Sequence, residues 1–479
     1  MMKSILYVIL SGLMQVTVSA REAAADGTVE AIVPTAKKPF PVPTDPAAKK
    51  LLQRQINEYM ALPPAQVQAH PAAVNFPGVV PAGSSRVDKT VTFQGGKKRW
   101  QSTGLYANAG EIVTVIPGGK LPAGATAEIR VGCHTDRLFR EEIRQWKRFP
   151  LITRTFPLQA GPTPVASAFG GPLFISVNPG KSAAGDDFQF QLRFTNAVAA
   201  PFFVLGETSV ADWSKSRSAP APWGELAGRN MILHFPAAQV RELADPTALL
   251  EWWDRVVAAE DELVGWPLRT EQERVVPDRQ ISAGFMHSGY PFMCGLTSAP
   301  LITDLEKLKA EGSWGFFHEL GHNRQSKAWT FPEQGEVTVN FFSLYCMEKI
   351  VGRATGAGHP ALAGEKLFKA LDRRLGDPPS TAPFDQLAPF VVLLQKFGWS
   401  PMQQTLASYQ TAPIDAKAAL ETREAEFVRR YSRNAKADLT GFFKAIGYAC
   451  PDSLCAELKS LPPFNLNDWR KAHAPAGKS

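Results

Sequence analysis

The sequence predicts an α+β protein in which an antiparallel β-sandwich precedes a mostly helical region. Within residues 86–203, short segments of alternating apolar and polar residues are separated by Gly and Pro, a pattern typical of antiparallel strands. Beyond Pro201 the apolar residues recur mainly at helical spacing. A run of strands followed by a run of helices is the order expected of an α+β fold.

Residues 1–20 have the pattern of a secretory signal peptide. Lys3 precedes an apolar stretch over residues 5–18, and Val18-Ser19-Ala20 is a small-residue cleavage site. The mature chain is therefore expected to begin near Arg21 and to be secreted, periplasmic or held at the cell surface. The apolar stretch is shorter than a bilayer span and no later segment reaches that length, so we expect no membrane span.

Residues 21–85 are expected to form a lead-in to the sandwich. The first part, to about residue 45, is rich in Ala, Pro and Lys and has no apolar periodicity, which is typical of a flexible segment. A short helix is expected over residues 46–60.

The sandwich itself is predicted over residues 86–203. Segments 90–93, 112–116 and 188–194 alternate in polarity, and the last of them places three Phe residues and one Leu on a single face. A strand with this pattern is buried on one side, and several such strands in succession predict an antiparallel sandwich.

The region after the sandwich is expected to consist of one mostly helical domain over residues 204–383 and a helical subdomain over residues 384–479. Residues 245–263 place Trp252 and Trp253 on an apolar stripe. Further helices are expected within 301–325 (one or two), and over 390–397, 402–409 and 416–431, with Gly398, Pro401 and Pro413 as helix breakers.

Composition and cysteine usage exclude two classes of protein. The formal net charge is +7, but the Lys and Arg residues are scattered and no basic run is interleaved with aromatic residues, so we expect no nucleic-acid partner. Five cysteines are too few and too scattered for a disulfide scaffold. Cys450 and Cys455 are close enough in sequence to close a local loop, whereas the other three are expected to be buried thiols.

The motif His318-Glu319-Leu320-Gly321-His322 predicts a metal centre on a helix. Residues four apart project from one helical face, so both imidazoles can bind a single ion. Two imidazoles and one further protein ligand leave a zinc coordination position open for water, and the carboxylate of Glu319 stands beside it as a general base. The alternative is that the two histidines are hydrogen-bonded members of a buried core.

A third ligand is expected downstream of this motif. Gln325 and Ala328 occupy the positions where metzincins carry Gly and a third His, so that class is excluded. Glu336 opens a second apolar helix, predicted to extend over residues 337–350, and its carboxylate would project from the first turn. Glu333 is the alternative ligand, but it lies in a Pro-flanked loop, which holds a ligand less rigidly than a helix does.

Several segments of the chain resemble the enhancin-like M60 peptidases. The metal motif is the most specific of them, and together they extend over residues 86–409. The similar segments are 318–325, 336–340 and 342–345, and upstream of these 103–107, 132–136, 201–206 and 286–291.

This resemblance implies a fold, a metal and a class of substrate. It implies that the domain over residues 204–383 is a zincin-like catalytic domain of the gluzincin type. His318, His322 and Glu336 would be the ligands of Zn²⁺, and Glu319 would be the general base. The implied substrates are mucins and other O-glycosylated proteins, with the glycan as part of what is recognised.

An enzyme that cleaves glycopeptides needs an edge strand or loop that holds extended substrate backbone. Gly170 and Gly171 begin the best edge-strand candidate, because glycines permit close backbone approach. This segment also resembles the family's glycine-containing substrate strand. The alternative is a turn that enters an ordinary sandwich strand.

Two further groups of residues are assigned provisional roles. Asp136, Trp146 and Arg148 are expected to bind a sugar, Trp146 by stacking and the other two by hydrogen bonds to hydroxyls; the alternative for Trp146 is burial in the core. Tyr290 or His287 is expected to donate a hydrogen bond to the oxyanion of the tetrahedral intermediate.

Two other classes of function remain open from the sequence. The chain is either an endopeptidase of this kind, a glycan-binding adhesion protein that retains the zincin fold, or a zinc hydrolase that acts on a non-peptide bond. The complete set of metal ligands and base argues against the glycan-binding adhesion protein. We expect the protein to be a monomer.

Overall fold

The structure is a computed structural model that describes residues 29–97, 99–181, 187–267 and 271–473. The predicted signal peptide, residues 1–20, lies outside the described residues. The chain divides into two compact units, Met1–Leu250 with Thr270–Thr303, here called the β unit, and Glu251–Arg269 with Asp304–Ser479, here called the helical unit. The predicted α+β fold class is confirmed, since antiparallel strands come first and helices follow.

Ten strands make up the first part of the β unit. They are β1 (Phe40–Pro41), β2 (Val87–Gln94), β3 (Gln101–Ala107), β4 (Val113–Pro117), β5 (Thr126–Val131), β6 (Gln145–Trp146), β7 (Arg154–Pro157), β8 (Thr163–Val165), β9 (Gly171–Asn178) and β10 (Gln189–Ala199). Strands β1 and β6 form a separate two-stranded ribbon. The other eight form two antiparallel layers, β7-β5-β9-β3 and β2-β10-β4-β8.

The predicted strand over residues 188–194 is confirmed within β10. Leu192 and Phe194 are buried, Phe188 and Phe190 pack against the same core, and the intervening residues are exposed. The register of β10 shifts after Phe194, and Asn196 takes a positive φ of 61° there. Beyond this bulge the strand pairs with β3, so β10 connects the two layers around one apolar core.

A second sheet in the β unit is mixed and has six strands. They are β11 (Phe202–Val204), β12 (Trp223–Ala227), β13 (Met231–Pro236), β14 (Glu273–Asp278), β15 (Met286–His287) and β16 (Phe292–Gly295), in the order β11-β12-β13-β14-β16-β15. The helical periodicity beyond Pro201 predicts mainly helices here, and that prediction is wrong for these six strands. Every residue of β12 and β14 is buried, and a strand buried on both faces lacks the alternation by which strands are recognised.

The described helices follow in chain order, and all but the first two and the fourth lie wholly or mainly in the helical unit. They are α1 (Pro46–Met60), α2 (Val210–Ser216), α3 (Thr247–Leu263), α4 (Ala299–Thr303), α5 (Leu305–Glu311), α6 (Trp314–His322), α7 (Gly335–Thr338), α8 (Asn340–Lys349), α9 (Glu365–Leu375), α10 (Pro383–Phe397), α11 (Ser400–Thr411), α12 (Leu420–Ala435), α13 (Thr440–Ala445), α14 (Asp452–Leu458) and α15 (Leu466–His473).

Several helix predictions are confirmed. Helix α1 has the predicted bounds, begins with a proline and is capped by Asp45, whose carboxylate accepts a hydrogen bond from the backbone N–H of Ala48 at 2.7 Å. Helix α3 buries both predicted tryptophans, Trp252 and Trp253. Among the described helices, none combines the length and the apolar character needed to cross a lipid bilayer.

Helix α6 is fixed inside the helical unit by aromatic and small residues. Trp252 and Trp253 of α3 pack against Phe317 and Phe316 of α6, with ring centroids 6.1 Å and 5.5 Å apart. On the side of α8, a Cβ atom added to Gly321 would lie 2.8 Å from the Phe342 side chain. Glycine at this position therefore allows α6 and α8 to approach closely.

The cysteine predictions have a mixed outcome. Cys133, Cys294 and Cys346 are buried free thiols, as expected. The local disulfide suggested for Cys450 and Cys455 is wrong, because both are free thiols. The Cys455 thiol, on helix α14, instead lies 3.7 Å from the carbonyl oxygen of Cys450.

Candidate metal centre

The two histidines of the predicted motif lie one turn apart on helix α6. Their rings are 4.7 Å apart between centroids and nearly perpendicular, at 89°. Both side chains are partly exposed, whereas Phe316, Phe317 and Leu320 on the opposite side of the helix are buried. The helix therefore directs His318 and His322 toward solvent while its apolar face holds it in place.

Glu336 completes a group of three side chains. Its Oε2 lies 3.0 Å from Nε2 of His318 and its Oε1 lies 3.6 Å from Nε2 of His322. The three ligand atoms all lie within 4.8 Å of one another, and this is the one such group of three His, Cys, Asp or Glu side chains among the described residues. Glu336 lies in the first turn of the short helix α7, as the sequence analysis expected.

Each histidine is oriented by a side-chain amide. Nδ1 of His318 lies 2.9 Å from Oδ1 of Asn340, and Nδ1 of His322 lies 2.7 Å from Oε1 of Gln325. An amide oxygen can only accept, so Nδ1 of each ring donates, and Nε2, the atom that faces Glu336, is the nitrogen left for a metal ion. This tautomer is the one that a metal bound through Nε2 requires.

The amide groups are themselves held in the required orientation. Nδ2 of Asn340 donates to the carbonyl oxygen of Glu336 at 2.6 Å. Nε2 of Gln325 donates to the carbonyl oxygen of Gly335 and to Oγ1 of Thr338, both at 2.7 Å. Because each amide nitrogen has acceptors, each amide oxygen is left to face a histidine. Two oriented imidazoles and one carboxylate are a set of donors that fits zinc.

Sequence reasoning did not assign a role to Asn340 or Gln325. The signal was present as spacing, since Gln325 lies three residues after His322 and Asn340 lies four residues after Glu336. Gln325 lies just past the last turn of α6, and Asn340 begins α8 one turn after Glu336. Amides have many ordinary surface roles, however, so spacing alone does not single them out.

Glu333, the alternative ligand, and Glu319, the expected base, both lie near the three grouped residues in the sequence. Glu333 has a positive φ of 62°, is exposed, and is not part of the group formed by Glu336. Glu319 follows His318 in α6 and is partly exposed. The ligand and base roles of these residues stay predictions.

The prediction that Gly170 and Gly171 begin an edge strand is wrong. Strand β9 lies between β5 and β3, and it pairs with both. A Cβ atom added to Gly170 would lie 2.5 Å from the carbonyl oxygen of Ala107, and one added to Gly171 would lie 2.5 Å from Cα of Gly132. These glycines therefore serve close backbone packing inside the sheet, and the argument that they bind substrate loses its basis.

The predicted sugar-binding group is also corrected. Trp146 is buried against Phe40 and donates its indole N–H to the carbonyl oxygen of Leu138 at 2.7 Å. Arg148 is fully buried and forms a two-point ion pair with Asp278, at 2.6 and 2.7 Å. Neither side chain is accessible to a sugar, so the alternative of core burial is the correct one for Trp146.

Asp136 and His287 are joined by a hydrogen bond within the β unit. Oδ2 of Asp136 lies 2.8 Å from Nε2 of His287 and accepts from the backbone N–H of Ser282 at 2.6 Å. Although burial alone would raise it, these hydrogen bonds hold the pKa of Asp136 below its ordinary value. Tyr290 accepts a hydrogen bond from Nε of Arg274 at 3.0 Å. The oxyanion roles of His287 and Tyr290 stay predictions.

Comparison with known proteins gives matches along most of the chain. The family described as "Peptidase M60, enhancin and enhancin-like" matches residues 196–447, and "N-terminal domain of M60-like peptidases" matches residues 82–190. TRPM8 channel-associated factor 2 from Bos taurus is 35% identical over 383 residues, which are 78% of this chain and 40% of that protein. The chain thus spans about two fifths of the length of this relative.

Solved structures share the fold at low sequence identity. The ZmpB metallopeptidase from Clostridium perfringens has a TM-score of 0.60 and 17% identity, over 82% of this chain and 85% of that one. The M60 catalytic domain of ZmpC from the same organism, in complex with the sialyl T antigen, has a TM-score of 0.58 and 18% identity, over 82% of this chain and 84% of that one.

Proposed function

Because this chain belongs to the M60 peptidase family of enhancin and enhancin-like proteins, we propose that it is a zinc-dependent endopeptidase acting on mucin-type O-glycosylated proteins. The observation that carries the chemical part of this proposal is the convergence of His318, His322 and Glu336, with both imidazoles held by amides in the tautomer a metal needs. The alternative, that the two histidines belong to a buried core, does not account for their partial exposure or for the exposed carboxylate that contacts both Nε2 atoms.

In the proposed mechanism, His318, His322 and Glu336 hold the ion. When bound there, zinc supplies Lewis-acid activation of water and of the scissile carbonyl group. Glu319 takes the proton of the attacking water and later delivers it to the leaving amine. Asn340 and Gln325 accept hydrogen bonds from Nδ1 of the two rings and so orient each Nε2 toward the ion.

The substrate part of the proposal is supported by the relatives. The ZmpC catalytic domain is described in complex with the sialyl T antigen, and the fold it shares with this chain favours a glycosylated substrate. A second candidate is association with a TRPM8-type channel, favoured by the name of the curated relative. The chain spans only about two fifths of this relative, so the channel contact is the weaker proposal.

The decisive experiment compares Glu319→Gln with Glu333→Gln. Purified wild-type and variant chains are loaded with zinc, their metal content is measured, and an O-glycopeptide is incubated with each before mass analysis. We expect Glu319→Gln to bind zinc and to lose cleavage, because it retains the ligands and lacks the base. Glu333→Gln removes an exposed acid outside the cluster and should retain both properties.

The same assay separates the alternative functions. Peptide fragments that retain their glycans support the endopeptidase. Release of free sugar with an intact peptide would identify a hydrolase of glycosidic bonds. A wild-type protein that holds zinc and binds the glycopeptide without cleaving it would identify a glycan-binding protein, and the endopeptidase proposal would then be withdrawn.

A further inference from the structure

A polar pocket lies in the β unit at the edge of the sandwich layer that contains β5 and β7. Its volume is about 570 Å³, and it is lined by the C-terminal end of helix α1, by β5, by β7 and by the loops that adjoin these strands. Strand β7 is an edge strand of its layer. The volume falls within the range of small-molecule binding sites.

Three arginines line this pocket, which we call the arginine pocket. Arg130 comes from β5, Arg154 from β7 and Arg137 from the loop after β5. Its other polar lining residues are Asn57 and three threonines, and no carboxylate is among the described residues that line it. Three positive charges therefore meet at one concave site without an opposite charge in its wall.

Two of these guanidinium groups have unused hydrogen-bonding capacity. Within the part of the chain that the structure describes, the guanidinium groups of Arg130 and Arg137 donate no hydrogen bond, and Nε of Arg130 is buried without a partner. The carboxylate closest to Arg130 belongs to Glu128, at 4.0 Å, and is itself half exposed, which is too far for a hydrogen bond. Arg130 is nevertheless fixed in place, because it stacks on the Trp100 ring at 4.4 Å.

The third arginine is fixed by the backbone. Arg154 donates to the carbonyl oxygens of Ala166 and Leu62 at 2.9 and 2.8 Å, and it stacks on the Phe156 ring at 4.7 Å. Its charge is thus held at the wall of the pocket with little freedom to move away. Burial lowers the pKa of both Arg154 and Arg130, because it removes water that would stabilise their charges.

We propose that the arginine pocket binds the oxyanion group of an acidic sugar, a sulfate ester, a carboxylate or a phosphate ester. Planar guanidinium groups match such oxygens in two-point hydrogen bonds. The volume exceeds what a bare inorganic ion fills, and the threonine hydroxyls and the Asn57 amide can bond to sugar hydroxyls. This proposal does not depend on the metal centre, because all of its residues belong to the β unit.

Isothermal titration calorimetry of the full chain at constant ionic strength tests this proposal. The probes are N-acetylglucosamine 6-sulfate, N-acetylneuraminic acid and glucose 6-phosphate, with neutral N-acetylglucosamine as the control sugar. We expect saturable binding of at least one acidic sugar and none of the neutral one. The sugar that binds most tightly identifies which oxyanion the pocket accepts.

Two variants with equal change in charge locate the binding site. Arg137→Gln removes an exposed arginine of the pocket, and we expect it to weaken binding by about tenfold, the loss typical of one charge-assisted hydrogen bond. Arg140→Gln removes an exposed arginine in the same loop that does not line the pocket, and binding should be unchanged. Arg130→Gln, checked for folding by circular dichroism, should also weaken binding.

Three results would overturn the proposal. They are equal binding of the neutral sugar, equal affinity of the wild-type and Arg137→Gln chains, and the absence of saturable heat with all three acidic sugars at millimolar concentration. Each can be read without any peptide cleavage, so a failure here is distinct from a failure of the proposed peptidase function.

Discussion

His318 and Asn340 are joined by a hydrogen bond of 2.9 Å between Nδ1 of the imidazole and Oδ1 of the amide. Asn340 also donates to the carbonyl oxygen of Glu336 at 2.6 Å. One buried amide thus orients one proposed ligand and holds the backbone of another. The Asn340 side chain is therefore expected to control metal affinity although it does not itself face the ion.

Replacing Asn340 by Ala should weaken zinc binding. Loss of a partner that orients a metal ligand typically costs about 10- to 100-fold in affinity, which competition with a chromophoric chelator measures. Asn434→Ala is the matched control, because Asn434 bonds to Thr405 and does not belong to the cluster. Equal zinc affinity of the two variants would show that the His318–Asn340 contact does not orient a ligand.

Replacing His318 by Ala should remove both zinc and cleavage activity, whereas a metal chelator should remove cleavage from the wild-type chain reversibly. The reason is that Glu336 and His322 alone leave too few protein ligands to hold the ion against chelation. Metal content by elemental analysis and cleavage after readdition of zinc are the two measurements. A His318→Ala chain that kept stoichiometric zinc would contradict the ligand assignment.

Replacing Gly321 by Ala should destabilise the helical unit. The added methyl group would lie 2.8 Å from Phe342, and overpacking of this kind typically costs about 1–3 kcal/mol in the free energy of unfolding. Urea denaturation measures the change. Gly441→Ala is the control, because a Cβ atom there meets nothing within 4 Å and alanine favours the helix. A stable Gly321→Ala chain would mean that α6 and α8 can move apart.

The stability of the chain should fall as the pH falls from 6.5 toward 4, in part because of His134. Burial lowers the pKa of His134 to about 4 from an ordinary value of 6.5, as expected for a ring packed between Phe76 and Trp223. The unfolded chain therefore takes up this proton first. By linkage, this histidine alone should reduce the free energy of unfolding by about 2–3 kcal/mol by pH 4.5.

Urea denaturation at several pH values measures this effect. A His134→Gln chain should lose less stability between pH 6.5 and 4.5 than the wild-type chain, whatever its stability at neutral pH. His473→Gln, at an exposed position near the end of the described chain, should retain the wild-type dependence. Parallel profiles for wild-type and His134→Gln chains would contradict the burial of a neutral ring.

The features that the sequence predicted are those encoded by local periodicity. Helix α1 follows from an Asp cap and a proline at its first position, and the face of β10 follows from alternation over residues 188–194. The pairing of His318 with His322 follows from their spacing of one helical turn on α6. In each case the physical cause acts within about one turn or one strand.

The features that the sequence did not predict depend on which partner a segment meets. Strand β9 has the glycines of an edge strand, but its neighbours on both sides are distant in sequence. Trp146 and Arg148 have the chemistry of sugar ligands, yet Leu138 and Asp278 take up their polar atoms. Periodicity carries no information on such long-range pairs, since any segment of suitable polarity could have provided them.

The Gln325 amide spans from His322 to Gly335 and Thr338, next to Glu336. This side chain connects the two ends of the loop between helices α6 and α7. The distance between His322 and Glu336, the proposed third ligand, is therefore constrained by side-chain hydrogen bonds as well as by the connecting chain. We expect insertions at the exposed residues Pro332 and Glu333 to leave the grouping of His318, His322 and Glu336 intact, because the Gln325 side chain bonds directly to both sides of this segment.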